Sequence, residues 1–249
     1  DVRLASSIAE ASLQARQNLM RYYDPENRLN FEVDLLDIAP LSPLVKFADF
    51  KGKGAAAGTL QPNKANQLEL KGNLNLAELQ IDKTIRIPEV TGELRGIISR
   101  ESTGSIRLHL EQPDIAGIPL NNIDMQLEAR QKNRGAEGKV SWQINESGTA
   151  KLHQKGTFYI SADSALITTN ELTLSDELTE LKLQESFVTR YRPEGISMDT
   201  LLLAAEDTQV QAAIPLMKKD NAALFADVEN LDLSSLQHAL FRQTYVEGM

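Results

Sequence analysis

Side chains able to do chemistry are few: three histidines, one tryptophan and no cysteine in 249 residues. The lack of cysteine removes disulfides, thiolate zinc sites, iron–sulfur clusters and thiol nucleophiles together. His109 stands between Leu108 and Leu110, and His153 follows Leu152, so on strands both point away from the apolar side and read as solvated. His238 lies apart from both. No His-Glu-x-x-His pair, EF-hand loop or Gly-x-Ser-x-Gly elbow occurs, which leaves metal-assisted and serine hydrolysis without a motif. The run Gly52-Lys53-Gly54-Ala55-Ala56-Ala57-Gly58 has the glycines of a dinucleotide loop, but such a loop needs a following helix to aim its N-terminus at the pyrophosphate. Pro62 and an alternating strand follow instead, which makes the run a tightly packed strand. Asp176-Glu177 and Glu206-Asp207 have carboxylates for calcium but the spacing of solvated turns. Asn145-Glu146-Ser147 has the form of a glycosylation sequon. A carbohydrate-active site needs two carboxylates in an aromatic-lined cleft, and only 13 residues are aromatic, mostly outside clusters. The chain therefore reads as a non-enzyme, with no catalytic residue, metal or cofactor, and Trp142 as a core or groove residue.

Charge narrows the partners. Asp and Glu outnumber Lys and Arg by 35 to 26, and the resulting −9 arises after residue 160, since the first 160 residues carry 20 of each sign. A phosphate backbone held by basic side chains is disfavoured. Apolar runs such as Leu201 to Ala205 are far shorter than the roughly 20 residues of a bilayer span, and Asp1 opens the chain without a signal-like start. A soluble mature protein or an excised segment is expected.

The elements carrying these residues are strands. Period-two alternation places successive apolar side chains on one face of a sheet. It occurs at Leu29 to Leu35, at Leu68, Leu70, Leu74 and Leu76 around Gly72, at Ile85 and Ile87, and at Leu94 and Ile98. It returns at Ile106, Leu108 and Leu110, at Ile123, Met125 and Leu127, at Val140, Trp142 and Ile144, and at Phe158 and Ile160. Further runs follow at Leu172 and Leu174, Ile196 and Met198, Val210 to Ile214 and Leu224 to Val228, giving at least ten half-buried strands. Turn residues such as Asn133-Arg134-Gly135 and Arg192-Pro193-Glu194-Gly195 fall between the runs, and no long helical pattern separates them. An antiparallel meander is expected. Capping-box spacing at Ser234 to Gln237 predicts a short helix over 235–242, and Pro43 a second through Phe47. Leu4, Ile8, Ala11, Ala15, Leu19 and Tyr22 fit a helix, while Leu13, Ala15, Gln17 and Leu19 fit the first arm of a hairpin with residues 29–38, and the strand is preferred. Glycine two residues before an apolar side chain recurs at irregular spacing, which excludes a propeller or fixed-period solenoid.

Leu36-Asp37-Ile38-Ala39-Pro40-Leu41, the glycine–alanine run ending in Leu60-Gln61-Pro62, and Leu-x-Leu-x-Gly-x-Leu stretches such as Leu68 to Leu76 carry a resemblance. In these, residues 30–240 resemble the TamB/AsmA-like envelope proteins of diderm bacteria, of the translocation and assembly module. The resemblance implies a β-taco: a long curved sheet forming an open hydrophobic groove. It implies a periplasmic location, phospholipid or other acyl-chain cargo between inner and outer membranes, and a part in outer-membrane biogenesis and protein assembly. The membrane anchor would lie outside residues 1–249, which would form one continuous groove segment of a larger protein.

Independent of the resemblance, ten to fourteen strands about 4.8 Å apart make a sheet roughly 50–65 Å long. Such a sheet must close, pair with another sheet or curl around something apolar. Each CH₂ of a lipid tail exposed to water costs about 0.8 kcal/mol, so a bridge between membranes needs a continuous aliphatic lining. The expected lining is Leu68, Leu70, Leu74, Leu76, Leu94, Ile106, Leu108, Leu110, Met125, Leu127, Val140, Trp142, Ile144, Phe158 and Ile160. The alternative is a closed β-sandwich or solenoid module of a surface or adhesin-like protein, in which the same residues are an ordinary core.

Overall fold

A computed structural model describes residues 2–5, 9–16, 27–40, 49–144, 151–175, 180–205, 208–217 and 225–229, apart from positions 64, 66, 83, 116 and 134. These residues form one antiparallel sheet of eighteen strands. Strands β1 (Val2–Ala5), β2 (Ala9–Arg16), β3 (Arg28–Leu35), β4 (Phe50–Pro62), β5 (Leu68–Ile81), β6 (Ile85–Ile98) and β7 (Thr103–Glu111) pair in sequence order. The meander continues from β7 to β10 (Ile123–Lys132), β11 (Gly135–Ile144), β12 (Lys151–Ile160) and β13 (Ala165–Ser175).

Two interruptions vary the pattern. Gln112, at φ 41°, and Pro113 break the line of β7, and β8 (Asp114–Ile115) resumes it against β6, forming a small hairpin with β9 (Ile118–Pro119). Farther on, β14 (Glu180–Leu183) and β15 (Phe187–Arg192) share the gap between β13 and β16 (Gly195–Ala205). Strands β17 (Thr208–Met217) and β18 (Phe225–Glu229) close the order. Among the described residues β1 pairs only with β2, and β18 only with β17.

The turns form where the chain can leave extended geometry cheaply. Asp82 and Asn133 take positive φ values of 54° and 53° in the tight β5–β6 and β10–β11 connections, a region these two residue types tolerate. At β15–β16, Pro193-Glu194 makes a two-residue connection and Gly195 supplies the φ of 145°. The glycine–alanine run is strand β4, as its sequence context predicts. The β2 pairing makes residues 9–16 a hairpin arm. Both predicted short helices, the Asn145 sequon and the two acidic pairs lie outside the described residues.

Burial is uneven. Among the described residues twelve hydrophobic side chains are buried, and five of them, Leu172, Leu174, Leu181, Phe187 and Leu203, form one cluster on β13 to β16. Leu152, Leu183, Met198, Leu201 and Val210 pack around it. Through β3 to β10 most apolar side chains remain half-buried.

Candidate functional site

In an antiparallel pair, residues directly opposite share a face, so the register shows where each candidate side chain goes. One row across the sheet runs Leu74, Gly92, Leu108, Met125, Trp142. Beside it runs Gly72, Leu94, Ile106, Leu127, Val140, and on its other side Leu76, Val90, Leu110, Ile123, Ile144. Leu70 and Phe158 stand in a fourth row, linked through Gly96, Gly104, Ala129 and Gly138. Leu68 and Ile160 flank that row at its outer side. All fifteen expected lining residues therefore lie on one face.

Glycine beside a large side chain recurs across neighbouring strands, in places for a steric reason. Leu108 Cδ2 lies over Gly92, where an added Cβ would approach it to 2.7 Å, and Leu76 Cδ2 covers Gly54 in the same way at 2.6 Å. Phe31 Cζ would meet a Cβ on Gly58 at 2.8 Å. Gly54, Gly58 and Gly92 thus give a neighbour's side chain a place to lie down, while at Gly72, Gly138 and Gly156 the atom nearest to an added Cβ is a carbonyl oxygen of the paired strand. The resulting surface is largely aliphatic, with Trp142 and Phe158 as its rings. Val140, Ile144 and Phe158 are buried, Ile160 is exposed at 36%, and the other eleven are between these limits.

The opposite face is polar and cross-linked. His109 and Asp124, opposite in register, are 2.7 Å apart (Nδ1 to Oδ1), and Lys155 reaches Glu171 at 3.0 Å. Glu137 accepts hydrogen bonds from Lys132 and, at 2.7 Å, from Arg130. The Lys132 bond first and the Arg130 bond second hold its carboxyl below the usual carboxylate range. Arg190 grips both oxygens of Asp199, at 2.5 and 3.1 Å, and lowers that carboxyl likewise. On the apolar face, opposite Ala165, burial pushes the Tyr191 phenol up. Solvent-exposed ion pairs of this kind add little to stability, because water competes for both partners.

Three concavities, of about 950, 810 and 600 Å³, are walled mostly by the polar-face side chains. The first lies between the row with Lys71, Arg95 and Glu128 and the row with Glu69, Arg130 and Glu137; the second holds His109, Asp124 and His153. Leu70, Phe158, Leu74, Leu108, Met125 and Trp142 border these concavities too, but by strand alternation they give them backbone and send their side chains to the other face. His109 and His153 are thus on the polar side, as the alternation predicts, with two strands of the meander, β10 and β11, between them. Among the described residues no group of three or more His, Asp or Glu is placed to hold a metal ion.

Sequence reading missed the polar members of the apolar face. Gln154 and Thr169 are buried there, bonded to each other at 2.5 Å, with Gln154 opposite Trp142. The position of Gln154, two residues after Leu152 and four before Phe158, is the signal that could have found it. Compared with known proteins, the chain matches no protein-family model, no curated protein and no solved structure.

Proposed function

We propose that the chain is a non-enzymatic segment of a cell-envelope bridge, whose aliphatic sheet face shields lipid acyl chains between the inner and outer membranes of a diderm bacterium. Nascent outer-membrane strands, which are likewise apolar on one side, are a second client for the same surface. The observation behind this reading is the register, which gathers fifteen apolar residues from six strands onto one face while leaving most of them only half-buried. A sheet whose apolar face is an ordinary core buries such residues. Polar pairs on the other face keep that side wetted, and the strand-to-strand continuity of the rows gives a chain sliding along them an unbroken aliphatic contact. The buried cluster on β13 to β16 favours a second reading for that end alone, a closed module that packs as an ordinary core.

Leu108 discriminates the readings. In an open groove, Leu108→Asp leaves a folded protein, because the carboxylate reaches water, and it impairs outer-membrane integrity. A photo-crosslinking side chain at Leu108 or Leu127 labels lipid in cells. If Leu108→Asp unfolds the protein and neither position yields a lipid adduct, the closed module replaces the groove. An unpaired buried charge then costs several kcal/mol, comparable to the stability of a whole domain.

A further inference from the structure

The aliphatic face has one polar spot. The row Leu74, Gly92, Leu108, Met125, Trp142 reaches Gln154 on β12 and then Leu172 on β13. Between Lys155 and Gly156 the β12–β13 register shifts, so that Asn170 is left over and Thr169 and Leu172, three residues apart, both come to the apolar face. Gln154 and Thr169 are 8% and 1% exposed. The Gln154 Nε2 donates to Thr169 Oγ1 at 2.5 Å. That bond leaves the carboxamide oxygen, the second amide proton and the threonine hydroxyl proton without a protein partner among the described residues. Trp142, directly opposite Gln154, carries an indole N–H that is also without one. A buried carboxamide oxygen with nothing to accept from is uncommon in folded proteins and calls for an occupant.

The surroundings restrict that occupant. Val140, Leu152, Gly156, Phe158 and Leu172 share the face around the pair, and no charged side chain does. A phosphate or carboxylate there would be desolvated without a counter-ion, whereas a hydroxyl or ester group meets both a donor and an acceptor. The spot also lies where the half-buried rows end and the buried cluster begins, so a chain lying on the Leu74 to Trp142 row arrives at Gln154 with its end. We propose that Gln154, Thr169 and Trp142 form a binding site for the uncharged hydroxyl or ester group of an acyl-chain amphiphile whose tail lies along the Leu108–Met125–Trp142 row. The proposal rests on the acyl-chain reading above and adds to it the selection of a neutral polar group.

Trp142, the sole tryptophan, reports directly on the site. Its fluorescence is titrated, below the critical micelle concentration, with a monoacylglycerol brominated along its chain, with the equally brominated fatty acid at pH 8, and with 1-bromododecane. The monoacylglycerol is expected to quench saturably and at lower concentration than the fatty acid. Gln154→Leu should weaken the monoacylglycerol about tenfold, the loss of one net hydrogen bond, and leave 1-bromododecane unchanged. Gln154→Met, of matching length, serves the same comparison should the branched side chain prevent folding, with circular dichroism as the check. If the folded variants bind the monoacylglycerol as the parent does while 1-bromododecane still quenches, the pair holds only water and the site is refuted, with acyl-chain shielding intact. If 1-bromododecane fails to quench the folded parent, the acyl-chain reading falls and the site falls with it.

Discussion

At the scale of single residues, backbone clearance decides which glycines are replaceable. A Cβ on Gly138 would run into the backbone carbonyl of Glu128 on the paired strand, which cannot move without breaking the β10–β11 ladder. On Gly104 the closest atom, the Arg95 carbonyl oxygen, would be 3.2 Å away. Gly138→Ala is expected to lower stability by about 1–3 kcal/mol, the range of core overpacking, with Gly104→Ala costing less than half of that. Equal denaturation midpoints for the two variants would refute the register between β10 and β11. Charge supplies a second residue-scale test. The Asp199 carboxyl is lowered by its hydrogen bonds from Arg190, so its contribution is complete above the ordinary carboxylate range and is lost as pH falls through the lowered folded value. Glu137 behaves alike through Lys132 and Arg130. The thermal midpoint of the parent should therefore exceed that of Arg190→Gln near pH 6, with the gap narrowing below about pH 4. A gap that widens on acidification would contradict the pairing.

At the scale of elements, the sheet changes character between β11 and β13. On the N-terminal side long strands hold one register over most of their length, interrupted by the shift between Lys51 and Lys53 and the break at Gln112, and Gly54, Gly58 and Gly92 lie under a neighbour's side chain. On the C-terminal side, the shift at Lys155 and Gly156 and the paired short strands β14 and β15 bring Leu172, Leu174, Leu181, Phe187 and Leu203 into one buried cluster. The two regions should answer differently to the same truncation. Leu181, 2% exposed, has no water to replace its lost contacts, and Leu181→Ala is expected to cost about 2–5 kcal/mol. Leu94, half-buried on β6, should lose clearly less as Leu94→Ala, since part of its surface is wet already. Chemical denaturation of both variants checks the contrast, and a larger loss at Leu94 would place the stabilising core on the wrong side of the molecule.

At the scale of the whole molecule, a sheet with fifteen strand positions spans about 70 Å along its hydrogen-bonding direction. Its length is the property a bridge needs, and it also exposes a hazard. Strand β18 pairs on one side only among the described residues and carries Phe225 at 53% exposure. An edge with free backbone donors and acceptors templates further pairing. Light scattering is expected to show association that grows with protein concentration while circular dichroism remains strand-dominated; a strict monomer at high concentration would exclude edge-to-edge pairing.

Alternation made the strands legible, and with them the face on which each apolar residue lies, because the period of two is set by backbone geometry within a strand. Leu68 to Leu76, Ile106 to Leu110 and Val140 to Ile144 are strands for this reason alone, and the glycine–alanine run is a strand because Pro62 and alternation, not a helix, follow it. Strands β14 and β15 were hidden: Glu180 to Leu183 is too short for a period to be read, and Phe187-Val188-Thr189-Arg190-Tyr191-Arg192 mixes polarity on both faces. Gln154 and Thr169 were hidden more deeply. They share a face only because one extra residue in β13 flips its parity, and an insertion of that kind belongs to the pairing of two strands rather than to either one. Within a strand the sequence determined which way each side chain points; which side chains meet across strands was decided by register, which depends on turns, bulges and the fit of leucine over glycine between neighbouring chains of the sheet.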